Sequence, residues 1–134
     1  MPNKTVKRET GDRGEEIAAV FFVKQGFLIV ERNHWRKWGE IDIVAKNIKD
    51  NIYRFVEVKT VSRSLRTLDL ENDGGYSPAD NITFEKKKRF SRVIQTYLME
   101  NKLGECDWQA DVALVYLDTN SDESVIEMIE DIDL

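Results

Sequence analysis

The chain has one cysteine, Cys106, and one histidine, His34, among its 134 residues. A lone cysteine excludes an internal disulfide, and a zinc site built on His34 lacks partners. Long apolar runs are missing as well. The longest, Ile17 to Val23, is far short of a membrane span. The N-terminal stretch MPNKTVKRETGDRGEE lacks the apolar centre of a secretion signal, so a cytoplasmic location is expected. There are no repeats and no low-complexity tracts. Basic residues stop at position 102, and residues 103–134 hold ten acids and no base. The remainder has 20 bases against 15 acids, a local excess of about +5 beneath a net charge of −5. Such segregation lets an acidic protein bind nucleic acid, although a solvated acidic end explains the tail equally simply.

What remains is enough for one domain with a real core. A first helix is expected from near Thr10–Asp12 to Gly26, with Ile17, Ala18, Val20 and Phe21 as its apolar face. "FLIVERN" (27–33) reads as a strand, and 34–38 as a polar-aromatic turn. "EIDIVAK" and "IYRFVEVKT" read as a hairpin. Residues 61–81 show no period and read as a long loop. Thr83 is a fitting N-cap for a second helix whose Phe90, Val93, Ile94, Tyr97 and Leu98 keep helical spacing. Two closing strands follow, in "WQADVALVYL" and "SVIEMIEDI". The order is α-β-β-β-α-β-β, one α/β domain over 1–134, with residues 1–9 frayed and 118–134 an acidic closing segment.

The hairpin holds charges where a core is expected. Strand alternation puts Glu40 with Asp42 on one face and Ile41, Ile43 and Ala45 on the other. In the second strand Phe55, Glu57 and Lys59 share a face opposite Val56 and Val58. Antiparallel pairing brings Asp42 beside Glu57, with the Lys59 ammonium two residues along. Two close carboxylates repel unless a cation joins them. Oxygen ligands suit Mg²⁺, which takes one or two carboxylates and keeps its waters. An ion-pair network with Lys59 and a neighbouring arginine is the alternative.

The spacing Asp42 … Glu57-Val58-Lys59 resembles the PD-(D/E)XK nuclease superfamily. The stretches "GDRGEEIAAVFFVKQGFLIVERNHWRKWGEIDIVAK", "FVEVKT", "ITFEKKKRFSRVIQTYL" and "DVALV" together resemble the YraN family of small bacterial nuclease-like proteins. The likeness covers roughly residues 11–117. It departs at Val93 and Ile94, where the family has small residues, and in the tail beyond Asp118. The chain is also similar to archaeal Holliday junction resolvases, whose first helix carries a catalytic glutamate four residues after a glycine. Gly11 and Glu15 match that spacing.

The resemblance implies a restriction-endonuclease-like core: a mixed sheet with flanking helices. It implies Glu15, Asp42, Glu57 and Lys59 as catalytic residues, with Mg²⁺ or Mn²⁺ on Asp42, Glu57 and the Val58 backbone carbonyl. Glu15 has another reading, because Asp12 and Glu15 stand at N-cap and N3 spacing. Arg63, Arg66 and Lys86 are the expected nucleic-acid contacts. Trp35 and Trp38 suit base stacking or anchoring of their turn. The expected activity is hydrolysis of DNA phosphodiesters, in branched or single-stranded DNA among others. The expected partner is DNA, with no membrane and with a homodimer left open. A binding module without turnover and a protein-interaction subunit are the rival readings.

Overall fold

Two glycines set how closely the helices approach the sheet. The computed structural model describes residues 6–65 and 82–134. Its elements are α1 (Val6–Lys24), β1 (Phe27–Arg36), β2 (Gly39–Asn47), β3 (Tyr53–Arg63), α2 (Phe84–Glu100), β4 (Trp108–Asp118) and β5 (Ser124–Ile129), in the expected order. The strands form one mixed sheet, β1-β2-β3-β4-β5. Only β3 and β4 run parallel. A parallel pair needs a crossover, and α2 lies in it. Among the described residues no helix is long and apolar enough to cross a membrane.

One face of the sheet packs α1. Ala18, Ala19 and Phe22 meet Ile43, Ala45, Val56, Ala113, Val115 and Leu117. A Cβ on Gly14 would lie 1.9 Å from Thr60 Oγ1 on β3, so only hydrogen fits there. Of the apolar face expected from the sequence, Ile17, Ala18 and Phe21 pack here, and Val20 does not. Val20 is 42% exposed while Phe22 is 2% exposed. The small residues Gly14, Ala18 and Ala19 select the buried stripe because they let two backbones come together. The helix also begins at Val6 rather than near Thr10–Asp12, so residues 6–9, expected as frayed, are helical. Asp12 and Glu15 therefore lie within the helix, and Glu15 is not part of a capping box. Gly26 ends the segment at φ +92°, the left-handed geometry expected of it.

The other face packs α2. Thr83 Oγ1 accepts from the Lys86 amide at 3.1 Å, as an N-cap should. Phe90, Val93, Ile94, Tyr97 and Leu98 are buried against Ile41, Val44, Phe55 and Ala110. A Cβ on Gly39 would stand 3.0 Å from the Arg89 carbonyl oxygen and 3.3 Å from Val93. The helix thus sits nearly on the start of β2. β3 runs further than its sequence suggests: residues 61–63, expected in the loop, pair with β4 as far as Arg63 opposite Asp118. Residues 66–81 of that expected loop lie outside the described residues.

β4 is buried from Ala110 to Leu117, a run that includes Asp111 with no exposure. Its carboxylate accepts from Arg54 Nη1 at 3.0 Å, Gln109 Nε2 at 2.9 Å and the Asp131 amide at 2.9 Å. The Arg54 guanidinium also reaches Glu130 at 3.4 Å and lies 5.1 Å from the centre of the Phe27 ring. Buried charges need such partners, and removing one typically costs about 3–5 kcal/mol. Part of the acidic tail is therefore engaged within the chain.

Gly14→Ala forces the helix away from β3 and should destabilise the protein by about 1–3 kcal/mol, the usual cost of overpacking. Urea unfolding checks this. Adding Thr60→Ala, which removes the two nearest obstructing atoms, should recover part of the loss. Equal stability of Gly14→Ala and the parent would refute the close approach.

Candidate active site

The site forms where β2 leaves its ladder with β3. The paired residues run from Lys46↔Tyr53 to Ile43↔Val56, so each pair sums to 99. In that register Ile41 would face Val58 and offer it a carbonyl. Instead the Val58 amide donates to Asp42 Oδ2 at 2.7 Å. Ile41 turns to the α2 side while Ile43 and Ala45 stay on the α1 side. The expected grouping of Ile41 with Ile43 and Ala45 is therefore incorrect: β2 stays paired with β1 as far as Gly39, but the left-handed backbone of Asn33 interrupts the regular alternation between Ile43 and Ile41. The N–H and C=O of one strand residue point the same way. The Val58 carbonyl thus faces the Asp42 side.

Asp42 is pushed up from 3.8 to about 7. Burial is the largest cause, and the negative charges of Glu15, Glu40 and Glu57 add to it against the Val58 amide. Four carboxylates from three elements are therefore electrically coupled. Glu15 comes from α1, on the turn that Gly14 pins to β3. It too is raised, chiefly by burial and then by Glu40, while Arg32 and a hydrogen bond from the Asn33 side chain oppose the shift. Asn33 has φ +53°, an uncommon left-handed value inside a strand that asparagine tolerates better than most residues. Beyond the register shift between Ile29 and Glu31, β1–β2 pairs sum to 75, which sets Asn33 opposite Asp42. Sequence reasoning missed both Gly14 and Asn33. An asparagine within a strand-like run was the one available signal for the second.

Glu57 and Lys59 project from β3 toward α2. Lys59 is lowered, first by burial, with Glu57 opposing and the Lys86 ammonium adding to the fall. Lys86, on the first turn of α2, therefore stands beside Lys59, and the two like charges leave a place for an anion. A cavity of about 390 Å³ opens here, with Glu40, Asp42 and Glu57 on one side and Lys86 and Arg89 on another. Trp35 and Trp38 also line it. The Trp38 ring packs on the α2 core with the Arg92 guanidinium 4.8 Å from its centre, an anchoring role.

Sequence reasoning grouped Glu15, Asp42, Glu57 and Lys59, and the structure brings these four together with Lys86. Arg63 lies at the far end of β3, opposite Asp118, and does not line the cavity. Arg66 lies outside the described residues. Among the described residues no group of three or more His, Cys, Asp or Glu is arranged to hold a metal ion by itself. Asp42, Glu57 and the Val58 carbonyl offer a smaller oxygen set. Such a set fits a cation that keeps most of its waters, and the crowding that raises Asp42 is relieved by positive charge.

A family model described as "Uncharacterised protein family UPF0102" matches residues 14–115, a span that includes Glu15, Asp42, Glu57 and Lys59. A UPF0102 protein of Caldicellulosiruptor saccharolyticus is 38% identical, over 92% of this chain and 96% of that protein. One from Pelobacter propionicus is 34% identical, over 99% and 91% of the two chains. One from Clostridioides difficile is 37% identical, over 82% and 87%.

The raised Asp42 fixes a pH dependence for the metal-free protein. Between the unfolded value of 3.8 and the folded value of about 7, the folded state holds more of this proton. Stability therefore falls as pH rises through that window, and the loss is complete above it. At about 1.4 kcal/mol per pKa unit, the full effect is on the order of 4 kcal/mol. Asp42→Asn keeps an acceptor for Val58 without the charge. In chelator at pH 8 it should be the more stable protein, and its advantage should shrink toward pH 5. Urea titrations at both pH values measure this, and a difference independent of pH would show that Asp42 does not hold the proton.

Proposed function

The chain belongs to the UPF0102, or YraN, family, and from that premise we propose that it is a divalent-metal-dependent nuclease hydrolysing DNA phosphodiester bonds. The observation that carries this reading is the meeting of opposite charges at one cavity: Asp42 and Glu57 line it together with Lys86, and Lys59 lies within reach of all three. The two carboxylates suit a cation, and the two ammonium groups suit a phosphate.

Mg²⁺ or Mn²⁺, held by Asp42, Glu57 and the Val58 carbonyl, would supply Lewis acidity and charge neutralisation at the phosphate. The chain's own groups do the rest. Val58 N–H fixes one Asp42 oxygen and leaves the other for the cation. Lys59 meets the charge that develops on the phosphoryl oxygens as water attacks phosphorus and the P–O bond breaks. Its lowered pKa also makes it a readier proton donor than an ordinary lysine. Glu15, held by Asn33, accepts a hydrogen bond from the attacking water and sets its direction. Lys86 and Arg89 hold the flanking backbone, with Arg63 as a more distant phosphate contact and Arg66 as the remaining basic residue assigned to the nucleic acid.

Two measurements test this reading. Calorimetry should show Mn²⁺ binding by the wild type that weakens strongly in Glu57→Ala, and equal binding by both would mean that the ligands are elsewhere. Cleavage should be assayed on duplex, branched and single-stranded DNA with Mg²⁺ or Mn²⁺. The Asp42→Ala/Glu57→Ala variant should be inactive.

Lys59→Ala separates turnover from binding. Loss of an electrostatic stabiliser should slow single-turnover cleavage by about 100-fold, roughly 3 kcal/mol, with DNA affinity little changed. Equal losses in rate and affinity would favour a binding module on the same fold.

A further inference from the structure

Trp35 is 64% exposed, although it borders the cavity that holds Asp42 and Glu57. Large aromatic side chains usually bury most of their surface. The other two tryptophans do so here: Trp38 and Trp108 pack against the α2 core. Among the described residues Trp35 makes no ring or cation–π contact. It is fixed by its backbone, next to last in β1 and opposite Glu40 on β2. Its neighbours on the cavity rim include Lys37, Lys86 and Arg89. An open indole face, cations beside it and a carboxylate wall behind make a mixed surface. A purely apolar partner would leave those charges unmatched. A nucleotide matches all three, with its base on the indole, its phosphate at the cations and the next phosphate joined to the carboxylates through the divalent cation of the proposed function.

We infer that Trp35 is a stacking platform for an unpaired base adjoining the phosphate at the Asp42–Glu57 site. Inside a duplex both faces of a base are covered by its neighbours, so an indole gains a full face only on an unstacked base. The preferred substrate class is then a strand with unpaired nucleotides, either a single strand or a flap, rather than a continuous duplex. This inference rests on the proposed function for the identity of the phosphate site, but binding alone tests it.

The test uses the full chain and three labelled probes: a short single-stranded oligonucleotide, a blunt duplex of the same sequence and that duplex with a single-stranded flap. Anisotropy gives the affinities, and gels confirm intact probe. The wild type should bind the single strand and the flap more tightly than the blunt duplex. Trp35→Ala should weaken the first two by about 5- to 100-fold, as expected for one lost stacking contact, while leaving duplex affinity nearly unchanged. Trp35→Tyr retains a ring and should retain most of the preference. An unchanged urea midpoint shows that the variants are folded. Equal affinities for wild type and Trp35→Ala, a wild-type preference for the blunt duplex, or no binding to any probe would overturn the inference. The Trp35 effect without cleavage of any probe in Mg²⁺ or Mn²⁺ would support stacking and remove the nuclease reading. Cleavage with a preference indifferent to Trp35 would do the reverse.

Discussion

A single hydrogen bond, from the Val58 amide to Asp42, organises the centre of this molecule. It replaces a backbone bond that the β2–β3 ladder would otherwise make. Because it takes that place, the two strands part after Ile43 and Val56. The cavity opens where the strands part, and Ile41 there joins the α2 core. The parting also buries a carboxylate that must then find a proton or a cation. Burial first, and then the neighbouring acids, make the proton costly to lose, which is why Asp42 sits near neutrality rather than in the ordinary carboxylate range.

The two helices are subordinate to that arrangement. α1 carries one acid, and its depth is set by contact between Gly14 and Thr60 on the strand that bears Glu57 and Lys59. α2 carries the basic residues, and its depth is set by contact between Gly39 and the Arg89 carbonyl at the strand that bears Asp42. Each helix is thus indexed to one of the two parting strands. Negative groups come from the α1 side and the hairpin, and positive groups from β3 and α2. Segregation of charge, visible along the chain as a basic body and an acidic end, reappears within the site at the scale of single side chains.

Much of this was legible before the coordinates. Period-two alternation placed Glu57 and Lys59 on one face, and the short link between the hairpin strands put Asp42 beside them. The α2 core followed from its spacing, and Thr83 from cap chemistry. Other features could not be read in the same way. A glycine has no side chain to enter a periodic pattern, so the role of Gly14 depends on a threonine far along the chain. In the buried stripe of α1, Ile17, Ala18 and Phe21 were placed correctly and Val20 was not, because hydrophobicity alone passes over the small residues Gly14 and Ala19 that the sheet accepts. Ile41 was misassigned because alternation presumes regular extended backbone, which Asn33 interrupts on the paired strand. Asn33 has an ordinary identity and an unusual backbone, and sequence reports only the first. Part of the acidic tail, read as a solvated end, is drawn in by the buried Asp111 through the amide of Asp131 and by the Arg54–Glu130 pair.

The Arg54–Asp111 pair also spans a sequence separation of 57 residues. During synthesis Arg54 emerges well before its counterion, and the pairs of β1 with β2 and of β2 with β3 are complete in sequence long before β4 exists. These antiparallel pairs are local and close early, whereas the parallel β3–β4 pairing must wait for the whole crossover, and such distant contacts slow folding. Until then β3 presents an open edge and a cation without its counterion to the surroundings. The segment that follows β5 supplies Glu130 and Asp131, so the strand at the middle of the sheet gains its full set of partners only after β4, β5 and that segment have all been made.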